Sequence, residues 1–257
     1  MSAYLATVIL SVMGGMAVLW LVSLALKDSG IVDVVWGLVF VVVAWIGVVM
    51  GTGVQSRRLL LAVMVTIWGL RLAIRIGRRN FGKPEDFRYA AWRREAGDAW
   101  WWRSLFKVFW LQGVVALVVA LPLMAGAVGE TPEGLTLLDY LGALIWLVGL
   151  SFESIGDAQL DRFKTDPANK GTIIQSGLWR YTRHPNYFGD ALLWWGFGVV
   201  AILTPWGVPA LVGPALMSFL LVKVSGVAML ERAMSSRPGW DEYARRTNAF
   251  IPWFPRT

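Results

Sequence analysis

The chain has 257 residues, of which 56% are hydrophobic and only 16% charged, with a net charge of +7. Soluble domains carry roughly 25% charged residues, so this balance, with a mean hydropathy of +0.56, points to an integral membrane protein. With no cysteine and one histidine, disulfides, thiolate nucleophiles, iron–sulfur clusters, cysteine zinc sites and bis-histidine haem are excluded.

In chain order, apolar runs of about 20 residues, long enough to cross a bilayer, fall near 3–26, 31–51, 59–77, 104–129, 137–156, 187–204 and 208–230. The expected fold is therefore all-α, an integral membrane bundle of seven transmembrane helices forming one domain. The first run lacks the basic flank and small-residue cleavage site of a signal peptide. Connections are short except for Arg78 to Arg103 and Asp157 to about Asn186, and a polar tail follows from Glu231. Both long connections and the tail are rich in Arg and Lys, whereas the other side carries Arg57, Arg58 and the acidic ETPEG stretch at 130–134. The positive-inside rule then puts the N-terminus outside and the C-terminus in the cytoplasm. The sixteen tryptophans suit interfacial belts and cavity walls.

Ionisable residues inside a span are costly and mark functional sites. The second run opens IVDVVWG, with Asp33 about one turn inside it, a candidate proton donor or a helix-start cap. The third run ends WGLRLAIRIGRRNFG. Arg71, Arg75, Arg78 and Arg79 recur at helical spacing, a stripe of guanidinium groups suited to phosphates. The next loop, KPEDFRYAAWRR, gathers Glu85, Asp86, Arg88 and Tyr89 into a polar knot, either a ligand contact or local ion pairs. The fifth run ends SFESIGDAQLDRFKTD. Glu153, Asp157 and Asp161 share a face, with Lys164 a turn further. This ladder suits ribose hydroxyls or a brace for the arginines better than a hard metal, which needs more oxygen ligands.

The densest polar cluster is GLWRYTRHPNYFGDALLWWG, residues 177–196. Arg180, Arg183 and His184 lead into a helix that Pro185 can start, and Asn186 and Asp190 lie one turn apart beside Tyr187. These groups suit a large polar ligand with both phosphates and hydrogen-bonding rings.

RYTRHPNYFGD, SFESIGDAQLDRFK, the EDFRY loop and the terminal FIPWFP resemble the bacterial DUF1295 proteins of the steroid 5α-reductase family, from about Asp33 to Pro255. The resemblance implies a seven-helix membrane reductase that uses NADPH, with its cofactor cavity among the later helices (about 130–257, plus 71–89) and its substrate side at about 1–129. The matching cofactor positions are Arg71, Arg75 and Arg79; Asp86 and Arg88; Asp157 and Lys164; Arg180, Tyr181, Arg183, His184, Asn186, Tyr187 and Asp190; and Glu231 and Tyr243. The family polarises a steroid ketone with a glutamate and a tyrosine. Here Trp68 stands at the tyrosine's place and no glutamate occurs in the second run, which leaves Asp33, Trp68 and Tyr89 as catalytic candidates. The implied reaction is reduction of an enone double bond in a steroid-like lipid that enters from the bilayer, with no metal. A monomer in the bacterial inner membrane, its cofactor site facing the cytoplasm, is expected. Two rivals are an S-adenosylmethionine-dependent membrane methyltransferase of the isoprenylcysteine carboxyl type, which also carries RHPNY-like stretches, and a non-enzymatic lipid-binding or transport protein.

Overall fold

The computed structural model describes residues 1–224 and 226–256, and among these the chain is helical with no strand. A single bridge pairs Thr182 with Asn248. Six helical stretches are long and apolar enough to cross a membrane: Ser2–Leu26, Ile31–Met50, Gln55–Asn80, Phe87–Val119, Leu137–Thr165 and Gly207–Met234. The run expected over 187–204 forms a helix of 17 residues, Pro185–Ala201. The chain divides into two compact units, one of residues 1–136 and 201–210, the other of 137–200 and 211–257.

The first unit is built on α1 (Ser2–Leu26), α2 (Ile31–Met50) and α3 (Gln55–Asn80). Helices α2 and α3 touch backbone to backbone where Gly37 meets Gly69. A Cβ on Gly37 would lie 2.8 Å from the Gly69 carbonyl, and one on Gly69 would lie 2.6 Å from the Gly37 carbonyl. In a membrane such small-residue contacts replace the hydrophobic drive that lipid removes. Arg58 Nη1 donates to the carbonyls of Val48 (2.8 Å) and Gly51 (2.7 Å), so it caps the C-terminal end of α2, where a cation is favoured. Arg57, 1% exposed, donates through Nη2 to the Gly134 carbonyl at 2.9 Å. Both arginines thus have local structural work besides any effect on topology.

Much of the long connection after α3 is helical. Helix α4 (Phe87–Ala96) starts at Asp86, whose carboxylate accepts from the Arg88 backbone N–H at 3.0 Å, and its Ala, Arg and Glu residues are good helix formers. It ends at Gly97, which takes φ +53, a backbone conformation that favours glycine. After a 3₁₀ turn, α5 (Trp100–Ser104), a π turn (Leu105–Trp110) and α6 (Leu111–Val119) continue the run. Pro122 then opens α7 (Leu121–Val128), so the run expected over 104–129 is two helices.

The second unit begins with α8 (Leu137–Thr165) and α9 (Pro185–Ala201). Gly142 faces Gly196, Gly149 faces Gly189, and Gly156 faces Pro185, an antiparallel seam with a glycine every seventh residue on each helix. A Cβ on Gly142 would come within 2.7 Å of the Gly196 carbonyl, and one on Gly149 within 2.6 Å of the Gly189 carbonyl. The helix α10 (Gly207–Ala210) belongs to the first unit, and α11 (Val212–Phe219), a π turn (Leu220–Val224), α12 (Val227–Met234) and α13 (Trp240–Arg246) belong to the second. Glu231, expected at the start of a tail, lies on α12.

Candidate functional site

In the first unit the EDFRY loop meets the start of α2. Asp33 accepts twice: Oδ2 from Arg88 Nη2 at 2.8 Å, and Oδ1 from the Tyr89 hydroxyl at 2.8 Å. Gln112 Nε2 donates to the same tyrosine oxygen at 3.3 Å. Arg88 Nε also pairs with Asp86 Oδ1 at 2.8 Å. Beside this, Glu85 accepts from Arg93 Nε at 2.9 Å, from Arg93 Nη2 at 2.8 Å and from the Ser29 backbone N–H at 2.7 Å. Burial would raise the pKa of Glu85 and Asp86, but their arginine and backbone donors win and hold both below the ordinary carboxylate value.

The sequence cue of a polar knot thus corresponds to one connected network, which brings together Asp33, Asp86, Arg88 and Tyr89. Gln112, which sequence reading passed over, belongs to it. The only cue for Gln112 is an amide in an otherwise apolar span. Both Asp33 oxygens accept, so its geometry is that of an ionised carboxylate that orients two donors. Trp68 is elsewhere. It is fully buried on α3 and meets Phe40 edge-on at 5.8 Å, about two turns along α2 from Asp33. On α3, Arg71 and Arg75 are half-buried whereas Arg78 and Arg79 are exposed, and Arg79 Nε donates to Asn80 at 3.2 Å.

In the second unit the glycine seam sets the C-terminal end of α8 against the N-terminal end of α9. Asn186 Nδ2 there donates to Asp157 Oδ1 at 3.1 Å. Glu153 and Asp157 are 4% exposed, while Asp161 is on the surface, so the carboxylate ladder runs from interior to exterior. Asp190 is half-buried one turn after Asn186. Among the described residues no group of three or more His, Asp and Glu side chains is placed to hold a metal ion.

Arg183 ties the C-terminal segment down. Its Nε donates to Glu231 Oε1 at 2.7 Å, its Nη1 to the Ala244 carbonyl at 2.8 Å and to the Thr247 carbonyl, and its guanidinium lies 5.6 Å from the centre of the Trp240 ring. The Tyr243 hydroxyl donates to the Trp179 carbonyl at 2.6 Å, and the Trp179 indole donates to the Gly156 carbonyl at 3.0 Å. Burial raises the pKa of Tyr243, and Arg183 pulls against that rise. Tyr181 accepts at its carbonyl from the Trp253 N–H at 3.0 Å and meets the Phe254 ring edge-on. Arg180 is exposed. Arg183, Tyr181, Tyr243 and Glu231 are therefore joints of the fold here, whatever else they touch.

His184 is 4% exposed and stacks on Tyr187 at 5.7 Å. Burial pushes its pKa down to about 4, against Glu231 Oε1, which lies 3.4 Å from Nε2 and favours the charged ring. The ring is neutral at pH 7.

Next to these joints is a cavity of about 570 Å³, within the usual range of small-molecule sites. Lys164, Lys170 and Arg237 supply cations, Trp179, Trp240 and Tyr243 supply aromatic faces, and Arg183 and His184 line one side. Of the sequence candidates, Lys164, Arg183, His184 and Tyr243 share this cavity. Asp157, Asn186 and Asp190 lie in the same unit but do not line it. Sequence reading missed Arg237 and Trp240, and took Lys170 only as a topology signal. Their cue would have been a cation and a tryptophan beside GWDEY, which read as a plain polar tail.

The profile of the protein family described as DUF1295, a protein of unknown function, matches residues 19–247. An uncharacterized protein of Schizosaccharomyces pombe, C594.04c, is 26% identical over 207 residues, covering 70% of this chain and 59% of that protein. The chain thus spans about three fifths of the length of that relative. No solved structure matches the chain. With the match running across nearly all of both units, the chain is a membrane protein of the DUF1295 family.

Proposed function

We propose that this chain is an NADPH-dependent membrane reductase of an enone carbon–carbon double bond in a steroid-like lipid. The observation that carries the reading is the 570 Å³ cavity, which combines three cations with tryptophan and tyrosine faces beside the RYTRHPNY motif. A dinucleotide phosphate needs that pair of chemistries: cations for its phosphates, aromatic or apolar walls for its rings. Lys164, Lys170 and Arg237 would hold phosphates, and Trp179, Trp240 and Tyr243 would flank a ring. Asp157, Asn186 and Asp190 offer carboxylates and an amide to ribose or nicotinamide. Arg71, Arg75 and Arg79 are assigned to the cofactor by the family resemblance alone. S-adenosylmethionine has no phosphate and leaves the cavity's cations unexplained.

When bound, the cofactor supplies a hydride to the β carbon of the enone. The protein's own part is to exclude water, orient the lipid and stabilise the enolate oxygen until a proton arrives at the α carbon. Tyr89 suits that task, since Asp33 and Gln112 hold its hydroxyl at 2.8 and 3.3 Å and Arg88 lends positive charge nearby. Asp33 positions both donors. The full topology of the proposal has α9 as a short seventh span, with the N-terminus outside and the cavity on the cytoplasmic side.

The test is the melting temperature of detergent-purified protein with NADPH, NADH or S-adenosylmethionine, followed by enone-dependent NADPH oxidation. Ligand at about a hundred times its Kd stabilises by about 2.7 kcal/mol. A rise with NADPH that Lys164→Gln and Arg237→Gln each diminish is expected. A rise with S-adenosylmethionine alone, or with none of the three, overturns the proposal.

A further inference from the structure

Outside both clusters, the first unit has a second pocket of about 380 Å³, in the corner where the chain turns at Gly97. It is lined by Trp92, Trp100, Trp102, Arg103, Phe106 and Lys107, together with Ala96 and Glu95. The turn is what makes it. In a straight helix Trp92 and Lys107 would be about 22 Å apart along the axis, yet Lys107 Nζ lies 4.6 Å from the Trp92 ring centre. Residues 100, 103 and 107 follow helical spacing, so one face of α5 and the π turn closes over α4.

Four observations point to the occupant. Arg103 and Lys107 are exposed and one turn apart, and among the described residues neither has a carboxylate within ion-pair distance. Each rests on a tryptophan instead, with Arg103 5.5 Å from the centre of Trp102. Trp100 is 3% exposed, and its buried indole N–H has no acceptor among the described residues. Trp102 and Phe106 leave large apolar faces open beside the two cations, 44% and 53% exposed. Finally, the pocket lies where the polar EDFRY segment passes into an apolar span, the depth at which tryptophan, arginine and lysine meet lipid headgroups. Two cations, a spare N–H donor and an apolar wall in one corner match an anionic phosphate with an acyl chain attached.

We propose that this corner is a binding site for an anionic phospholipid, with Arg103, Lys107 and the Trp100 indole facing the phosphate and Trp102 and Phe106 along the acyl chain. It is separate from the cofactor proposal and uses none of its residues. The test uses the full chain in detergent, titrated with dioleoylphosphatidylglycerol, dioleoylphosphatidylcholine or inorganic phosphate. Retained lipid is read by native mass spectrometry and stability by melting temperature. The wild type is expected to keep phosphatidylglycerol in preference to phosphatidylcholine and to gain melting temperature from it. R103Q/K107Q should bind it about tenfold more weakly, with an unchanged circular dichroism spectrum, and K83Q/R94Q, which removes two cations outside the pocket, should not weaken it. Trp102→Ala should lower retention while leaving both cations in place. Equal loss in the two double variants would mean unspecific charge attraction and overturn the site. So would full retention by R103Q/K107Q, or equal stabilisation by inorganic phosphate.

Discussion

At the scale of single residues, His184 and Arg183 make the sharpest predictions. His184 titrates near 6.5 when unfolded and near 4 when folded. Between those values the unfolded chain binds more protons. His184 therefore costs stability as pH falls from about 6.5 towards 4, by an amount on the order of 3 kcal/mol over the window. Melting curves from pH 7 to 4 should show a steeper fall for the wild type than for His184→Gln. Parallel curves would remove His184 as the cause. Arg183→Ala strips Glu231 and two backbone carbonyls of their shared donor and should cost about 3 kcal/mol. Faster proteolysis within residues 240–256 would report it, and unchanged protection would argue that the other joints suffice. For Tyr89→Phe the fold should persist and the rate of enone reduction should fall by about a hundredfold. An unaltered rate would leave Tyr89 as a structural partner of Asp33 only.

Helix-scale behaviour rests on the seam between α8 and α9. Gly149→Val puts a branched side chain where even a Cβ would be 2.6 Å from the Gly189 carbonyl, and such overpacking costs 1–3 kcal/mol or more, ~5 °C in melting temperature at the least. Gly14→Val is a control, since a Cβ there meets nothing within 4 Å. Equal effects of the two would mean that the seam is not tightly packed. The element pattern was largely legible, because seven apolar runs in sequence correspond to helices. What was not legible was where the runs break. Pro122 and the left-handed turn at Gly97 are local signals that a twenty-residue hydropathy window averages away, and the α4 segment read as a loop because its face pattern is polar. The seven-residue glycine spacing was visible in the sequence as letters. Its meaning came only with the partner helix.

At the scale of the whole molecule, the cysteine-free chain invites a topology test. Single cysteines at Lys83 and at Thr131 should react with a membrane-impermeant maleimide from opposite sides of the membrane, Thr131 from the outside. Labelling of both from one side would sink the proposed orientation. Site legibility differed between the two units. Asp33, Asp86, Arg88 and Tyr89 were each suspected separately, and their hydrogen bonds join them across sequence distances that no local pattern encodes. In the second unit Lys164 and Tyr243 were reached through family motifs, whereas Arg237 and Trp240 lay in a stretch that reads as surface. Conversely, Arg183 and Tyr181 carried the strongest motif signal and turn out to be bound up in docking the C-terminal segment. A motif reports that a residue is needed but does not distinguish holding a ligand from holding the wall around it.

The glycine register of α8 and α9 also bears on how the gene can vary. Removing one residue between Gly142 and Gly149 would rotate everything beyond the deletion by about 100°, swinging one set of glycines out of the seam and side chains into it. Point changes on the lipid-facing side of α8 leave that phase untouched. Among DUF1295 relatives, the interval from Gly142 to Gly156 should therefore drift freely in composition yet stay constant in length, with gaps gathering instead in the connection before α9.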